Sequence, residues 1–352
     1  MTRPLHFGIF LEEMRRGLDH TAAFHEAFEL VDAAESWGID AVWIGQLPFT
    51  PARSVLSASL VTASAIAART KRVRVGTAVQ VLPLNHPLRV AEEVATLDHI
   101  SEGRFEFGIG RSGSPRAYDV YGVPYEESQE RFQEALDVIL EAWKGQPFSH
   151  AGKFYRFQNV TVSPRPYQLP HPPIRMASAT PDTFPRVGEM GLPIFVGLRA
   201  TEIPELKEYV RTYREAWDLA GHAGEPSVYL RIPLYAAKSR EAMMTEPRES
   251  IAYYFRRQAE MTRASAGRAG TGPSDRRLAQ AERLFNLSYD QMLATKVAFG
   301  EPNALIERLQ QLQEELSLDG IVAELNPGGL IPLELERQSL RTLTHQVMPA
   351  FK

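Results

Sequence analysis

Residues 73–113, VRVGTAVQVLPLNHPLRVAEEVATLDHISEGRFEFGIGRSG, constrain the fold more than any other stretch. Two apolar, strand-like runs, Val73–Val81 and Arg104–Ile109, flank a segment in which Val90, Val94, Leu97 and Ile100 recur three and four apart, the spacing of one helical face. A connection of that length suits a crossover helix and not a hairpin. The two runs therefore read as parallel neighbours joined with right-handed connectivity. Unusual chemistry follows both: Leu82-Pro83-Leu84-Asn85-His86-Pro87 after the first and Gly108-Ile109-Gly110-Arg111-Ser112-Gly113 at the end of the second. Ligands of parallel sheets sit at the carboxyl ends of the strands, so a site is expected here.

The same alternation runs through the rest of the chain. Leu5–Leu11, Ala41–Gly45, Ile174–Ser178, Pro193–Gly197, Tyr229–Ala236 and Gly320–Leu325 read as strands. His20–Trp37, Ser54–Arg69, Ser128–Trp143, Pro181–Met190, Ile203–Leu219, Pro302–Leu316 and Leu333–Val347 read as helices. This pattern gives an α/β fold, and a closed (β/α)8 TIM barrel accounts for the count better than an open sheet. A single barrel domain over residues 1–352 is expected. The faces of Ser54–Arg69 are mostly Ala and Ser, which suits tight packing on the sheet or a subunit interface. Gly145–Tyr167 is irregular and aromatic, and an insertion with short strands is expected over about 145–170. Residues 262–280, TRASAGRAGTGPSDRRLAQ, have Leu278 as their only large apolar side chain. A long structureless loop is expected there on the ligand-bearing face.

Several function classes are excluded by composition. A net charge of −4 offers no electrostatic footprint for nucleic acid or an anionic membrane. The chain has no cysteine, hence no disulfide, thiolate metal site or cysteine nucleophile. The longest uncharged run, Ser54–Ala68, is too short and too polar to span a bilayer. MTRPLHFGIF lacks a basic-then-apolar leader pattern, so a cytoplasmic protein is expected. The histidines are scattered without metal-ligand spacing, so no metal is expected, and no G-x-S-x-G elbow occurs.

Gly108–Gly113 satisfies G-x-G-x-x-G after a strand, but Pro115 and an irregular Arg116–Pro124 stand where a dinucleotide-binding helix should begin. A glycine-lined strand end is the better reading: a flat ligand can lie against its backbone, with Arg111 as a fixed cation. Arg131 lies in the first turn of a helix, where a cation opposes the dipole and invites an anion; alternatively it pairs with Glu127 or Glu134. Thr180 is placed to cap a helix with Pro181 at its first position, either leaving amides free for an anion or serving only as a cap.

GTAVQVLPLNHPLRVAEEVATLDHISEGRFEFGIGRS resembles the corresponding stretch of the bacterial luciferase-like flavin-dependent monooxygenases. The similarity continues through Tyr118–Arg131, more weakly through Ile174–Phe195, and again over Phe299–Phe351 with its NPGGLIP and QVMPAF. The resemblance implies a β/α barrel that uses reduced, diffusible FMN from a separate flavin reductase, together with oxygen, on a small-molecule substrate, and a homodimer is expected. It places the FMN phosphate on Arg111, Arg131 and Ser178, with Thr180 alongside, and a non-proline cis peptide at Ala78–Val79 beneath the flavin ring. Gly110 stands where luciferase has a cysteine. Gln46-Leu47-Pro48-Phe49 replaces the Glu-His-His-Phe of many members, so the usual base is missing. Both differences speak against aldehyde oxidation with light emission. His86 and Gln46 are the remaining candidates for catalysis, with Glu12 as a further proton exchanger, and Glu12, Leu47 and Phe49 are expected to line a pocket for a hydrophobic organic substrate. A deazaflavin-dependent oxidoreductase and a non-catalytic flavin-binding protein are the alternatives. In the resemblance, residues 262–280 correspond to a mobile lid. Restoring histidine with Leu47→His is expected to yield no light with reduced FMN and decanal, because Pro48 and Gly110 also differ; luminescence from that single variant tests this.

Overall fold

The computed structural model describes residues 3–12, 15, 17–112, 115–199, 201–267 and 274–352. Eight parallel strands close into a barrel: β1 (His6–Leu11), β2 (Ala41–Ile44), β3 (Arg74–Thr77), β4 (Phe105–Gly110), β5 (Ile174–Ala177), β6 (Ile194–Gly197), β7 (Val228–Ala236) and β8 (Gly320–Glu324). Each strand pairs with the next, and the pairing of β1 with β8, His6 opposite Gly320, closes the ring. One helix follows each strand in turn: α1 (His20–Trp37), α2 (Ser59–Arg69), α3 (Pro87–Ile100), α4 (Ser128–Trp143), α5 (Thr183–Glu189), α6 (Ile203–Leu219), α7 (Pro302–Leu316) and α8 (Leu333–Thr342). The expected (β/α)8 barrel is thus the fold found.

Local chemistry sets many of these boundaries. The side chain of Asp19 accepts from the Ala22 amide to start α1, and Gly38 ends the helix at φ 91°. A capping box between Glu202 and Glu205 starts α6.

Some expected boundaries are wrong, for physical reasons. Val73–Val81 is not one strand: the Ala78–Val79 peptide is cis, and only Gln80–Val81 resumes pairing with β4. α2 starts at Ser59, five residues late. α5 starts at Thr183 with Asp182 in the cap position, so Pro181 lies outside the helix. The α-helical part of the last helix stops at Thr342, and Leu343–Val347 form a π turn. Arg116–Tyr121, expected to be irregular, is a short helix.

Two insertions decorate the barrel. Phe148–Ala151 and Arg156–Val160 form the expected hairpin, antiparallel and anchored on Glu134, whose carboxylate accepts the amides of Lys153 (3.1 Å) and Tyr155 (2.9 Å). Between β7 and α7 lie four helices that the residue pattern did not reveal: Arg240–Thr245, Arg248–Ser265, Ser274–Phe285 and Tyr289–Thr295. They bury Ile251, Tyr254, Phe255, Leu284 and Met292 against Tyr235, Phe299 and Ile331 as a second apolar cluster. The structureless loop expected over 262–280 is therefore replaced at both ends by helix, through Ser265 and again from Ser274; residues 268–273 lie outside the described residues.

The barrel interior is filled by large residues opposite very small ones. The Trp43 ring lies edge-on to Phe195 (centroids 4.8 Å apart) and Tyr229 (6.2 Å). Below it, Arg175 stacks on Tyr229 at 3.6 Å. A Cβ at Gly8 would lie 2.6 Å from the Trp43 ring, and one at Gly76 only 2.2 Å. Both distances are far inside those that real Cβ atoms keep, so a side chain at either position would force the buried indole to shift. Gly76→Ala is expected to destabilise the fold by about 1–3 kcal/mol through overpacking, and Trp43→Phe in the same chain should recover part of the loss; urea unfolding of the single and double variants measures both.

Candidate active site

The carboxyl ends of β3, β4 and β5 form a surface with few side chains. At Gly108 a Cβ would lie 1.8 Å from the Thr77 carbonyl oxygen, and at Gly110 it would lie 2.7 Å from Cγ2 of Val79. The Thr77 hydroxyl donates to the Gly108 carbonyl at 2.7 Å. The glycines of this G-x-G run thus let β4 lie against the displaced backbone around Ala78–Val79. They do not form a pyrophosphate turn. Gln46 props the same region, its Oε1 accepting the Val81 amide at 2.8 Å.

Polar groups gather beside this surface. Ile109 and Met176 are paired across β4 and β5, so Arg111 and Ser178, two residues further on, leave adjacent strands at the same level. The Ser178 side chain is 4% exposed, and its hydroxyl has no hydrogen-bond partner among the described residues. An unsatisfied buried hydroxyl is costly, and an arriving acceptor would relieve that cost. Arg111 donates to the Ser128 hydroxyl at 2.9 Å, at the start of α4. Its backbone is fixed from above: Tyr118 donates to the Arg111 carbonyl, and Tyr125 to that of Ser112 at 3.0 Å. Arg131 pairs with Glu127, not Glu134, at 2.8 Å from Nε and 2.7 Å from Nη2, and stacks over Phe154 at 4.2 Å. Thr180 is exposed and shares a 2.7 Å hydrogen bond with the Thr183 hydroxyl, so it caps no helix beginning at Pro181. The Arg111 guanidinium, level with an unpartnered hydroxyl at the ends of adjacent strands, fits a phosphate group, while the contacts of Arg131 are with Glu127 and Phe154.

The other expected residues divide between rim and interior. His86 is exposed at the start of α3, its ring edge-on to Tyr155 at 5.4 Å. Phe49 lies on the rim at φ 61°, with its ring 5.0 Å from Tyr121 and its carbonyl accepting from Arg116. Leu47 and Glu12 both crowd Gly45, where a Cβ would lie 3.3 and 3.2 Å from them.

Glu12 is not a free proton exchanger. Its buried carboxylate accepts from Arg53 at 2.9 Å and from Arg231, which also donates to Glu324 at 2.9 Å while stacking on Phe10 at 3.9 Å. Burial opposes the charge on Glu12, but Arg231, Arg53 and Arg199 outweigh it and hold the pKa below the ordinary carboxylate value. Burial likewise opposes the charge on Arg231, while Glu12 and Glu324 keep it firmly protonated. Arg53, Arg231, Glu324 and the pair Tyr118 and Tyr125 are the residues that sequence reasoning missed. A signal was present for two of them, since Arg231 and Glu324 are charges inside otherwise apolar strand runs.

A cavity of about 40 Å³ adjoins this ion network, lined by Glu12, Arg15, Glu26, Glu324, Asn326 and Glu336 among others. Burial pushes the Glu336 carboxyl up to about 7, against a hydrogen bond from Asn326 at 3.0 Å. With its folded pKa above the ordinary 4.5, the protonated form favours folding: its contribution is fully present below pH 4.5 and is lost as pH rises through about 7. Glu336→Gln is therefore expected to stabilise the protein by roughly 1–2 kcal/mol at pH 8 and to have little effect at pH 4.5, as read by urea unfolding at the two pH values.

Comparison with known proteins follows from this geometry. The family model for luciferase-like monooxygenases matches residues 5–319. The oxygenase component of the flavin-dependent trigonelline monooxygenase of Acinetobacter baylyi is 26% identical over 339 residues, covering 93% of this chain and 90% of that protein. The chain spans about half the length of several other curated relatives that it matches. Among solved structures, the FMN complex of the oxygenating constituent of 3,6-diketocamphane monooxygenase from Pseudomonas putida shares the fold at TM-score 0.81 and 21% identity, over 98% of both chains. So does the coenzyme F420-dependent tetrahydromethanopterin reductase of Methanopyrus kandleri, at TM-score 0.73 and 19% identity, over 99% of this chain and 100% of that one. The match over residues 5–319, together with the closed barrel, makes this chain a member of the luciferase-like monooxygenase family.

Proposed function

We propose that the protein is the oxygenase component of a two-component monooxygenase: it takes reduced FMN from a separate flavin reductase and uses oxygen to oxygenate a hydrophobic organic substrate. The observation that carries this reading is the buried, unpartnered Ser178 hydroxyl level with Arg111 at the ends of adjacent strands, beside the strand end where Gly108 and Gly110 admit the displaced backbone around Ala78–Val79. Support also comes from the trigonelline relative, an oxygenase component by name, and from the FMN complex of a protein with the same fold.

Bound reduced flavin supplies the two electrons that let one oxygen atom enter the substrate while the other leaves as water. The chain's own residues do the rest. Arg111, Arg131 and Ser178 hold the phosphate, and Ala78, Val79 and Gly110 form the floor on which a flat ring system rests. Leu47 and Phe49, with Tyr121, give the rim an apolar character suited to a hydrophobic substrate. Gln46 is tethered through its carbonyl oxygen, leaving its amide N–H groups as donors, and His86 stands exposed at the rim. Glu12, locked between guanidiniums, shapes the pocket and does not deliver a proton.

The proposal takes the chain as a single barrel domain acting as a cytoplasmic homodimer. A second reading, hydride transfer with a deazaflavin, is favoured by the likeness to the F420-dependent reductase. Titration with each reduced cofactor under anaerobic conditions, followed by oxygen-uptake measurement with candidate substrates, separates the two; cofactor binding without oxygen consumption would indicate a flavin-binding protein. Arg111→Ala is expected to weaken FMN binding by about 10- to 100-fold, from the loss of a charge-assisted contact of about 1.5–3 kcal/mol, and to leave riboflavin binding nearly unchanged. Equal losses for both ligands in calorimetric titrations would refute the phosphate role.

A further inference from the structure

We infer that Glu127 is a built-in competitor for the cofactor phosphate: its carboxylate occupies the Arg131 guanidinium when no cofactor is bound and so keeps FMN binding weak enough for rapid exchange. This rests on the reading of Arg111, Arg131 and Ser178 as a phosphate site.

Arg131 presents one edge of its guanidinium to a single oxygen of Glu127, with Nε at 2.8 Å and Nη2 at 2.7 Å from Oε2. The Phe154 ring covers its face at 4.2 Å, which leaves the guanidinium edges as the places where an anion can bind. The side chains of the pair are 23% and 30% exposed, well short of the full solvation that makes surface ion pairs nearly neutral. Glu127 immediately precedes α4, where the helix dipole favours a negative charge. Glu134, the acid one turn further along the helix, is held by the backbone amides of the hairpin and is not available to replace it. The neighbouring cation Lys153 is paired with Glu130.

A phosphate monoester carries close to two negative charges at neutral pH and offers three acceptor oxygens, so it can take Arg131 from a single carboxylate. A phosphate that takes the Nε–Nη2 edge breaks the Glu127 pair, and one that takes the remaining N–H groups binds with that carboxylate still beside it, so in either case the Glu127 charge opposes the dianion. Arg111 faces no such competition, because its partner is the neutral Ser128 hydroxyl, which can stay in place or turn toward the phosphate. The site thus has one guanidinium ready to bind and one that binds at a cost. A cofactor that arrives reduced and leaves oxidised at each turnover benefits from that arrangement, since release is part of the cycle.

The test is calorimetric titration of oxidised FMN and riboflavin into the wild-type chain, Glu127→Gln, Arg131→Ala and the double variant, with thermal melts to check folding. Glu127→Gln keeps the size and a carbonyl acceptor but removes the charge. It is expected to bind FMN about three- to tenfold more tightly, the fold-change set by a partly buried ion pair of order 1 kcal/mol, with riboflavin unchanged. In the Arg131→Ala background that gain should fall by at least half. An equal gain in both backgrounds would make Glu127 a distant charge only and overturn the competition. So would weaker or unchanged FMN binding by Glu127→Gln while Arg131→Ala weakens it, since Glu127 would then merely hold Arg131 in place. If Arg131→Ala and Arg111→Ala both leave the preference for FMN over riboflavin intact, the phosphate site itself fails and the competitor role with it.

Discussion

The barrel of this protein is organised around the space that one indole occupies. An eight-stranded barrel has an interior just wide enough for side chains to fill, and Trp43 takes up most of the middle layer against Phe195 and Tyr229. The inward positions facing it on the neighbouring strands are then left for glycine, at Gly8 and Gly76. Below this layer, Arg175 is stabilised by stacking on Tyr229. Above it, Arg231 stacks on Phe10 and gathers Glu12 and Glu324. The middle layer is one large group that the neighbouring strands accommodate with glycine, whereas the charged groups above and below it are packed against aromatic rings.

The upper layer shows how charge is tolerated inside the barrel. Burial of either Arg231 or the two carboxylates alone would be strongly unfavourable, but together their charges offset one another, with Arg231 Nε left without a partner among the described residues. Arg53 joins from the loop after β2, with its other guanidinium nitrogen 4.0 Å from the Met261 sulfur on the helix Arg248–Ser265. That helix and the Tyr254 side chain it carries cover the network, so the insertion after β7 completes the mouth of the barrel. The site is consequently built against a rigid ionic roof on one side and a bare, glycine-lined backbone on the other. The first fixes geometry; the second leaves room for a planar ligand.

Membership of the luciferase-like family accounts for the barrel, and the loop Gln46-Leu47-Pro48-Phe49 follows its second strand. Gln46 has become a structural prop through its bond to the Val81 amide. Phe49 and Tyr121 close the rim with aromatic surface. The loop thus carries no ionisable side chain and presents apolar area at the rim.

What the sequence determined by itself was whatever depends on near neighbours. Helical spacing and end signals placed His20–Trp37, Ser128–Trp143, Ile203–Leu219 and Pro302–Leu316 at their observed limits, because a cap such as Asp19 or a left-handed Gly38 acts within one turn. The alternation of runs gave the barrel, and the family pattern pointed to Ala78–Val79, whose peptide is cis. Tertiary structure decided the rest. Arg131 had two acids within reach on its own helix and took Glu127, because the amides of a hairpin some 20 residues away claim Glu134. Glu12 and Arg231 meet across 219 residues, a distance no local pattern encodes. The helices Arg248–Ser265 and Ser274–Phe285 are polar over most of their surface, and their apolar seam has meaning only against Tyr235, Phe299 and Ile331. Local spacing fixes what each segment can become, and burial against distant partners fixes which charges, seams and hydroxyls are left to act.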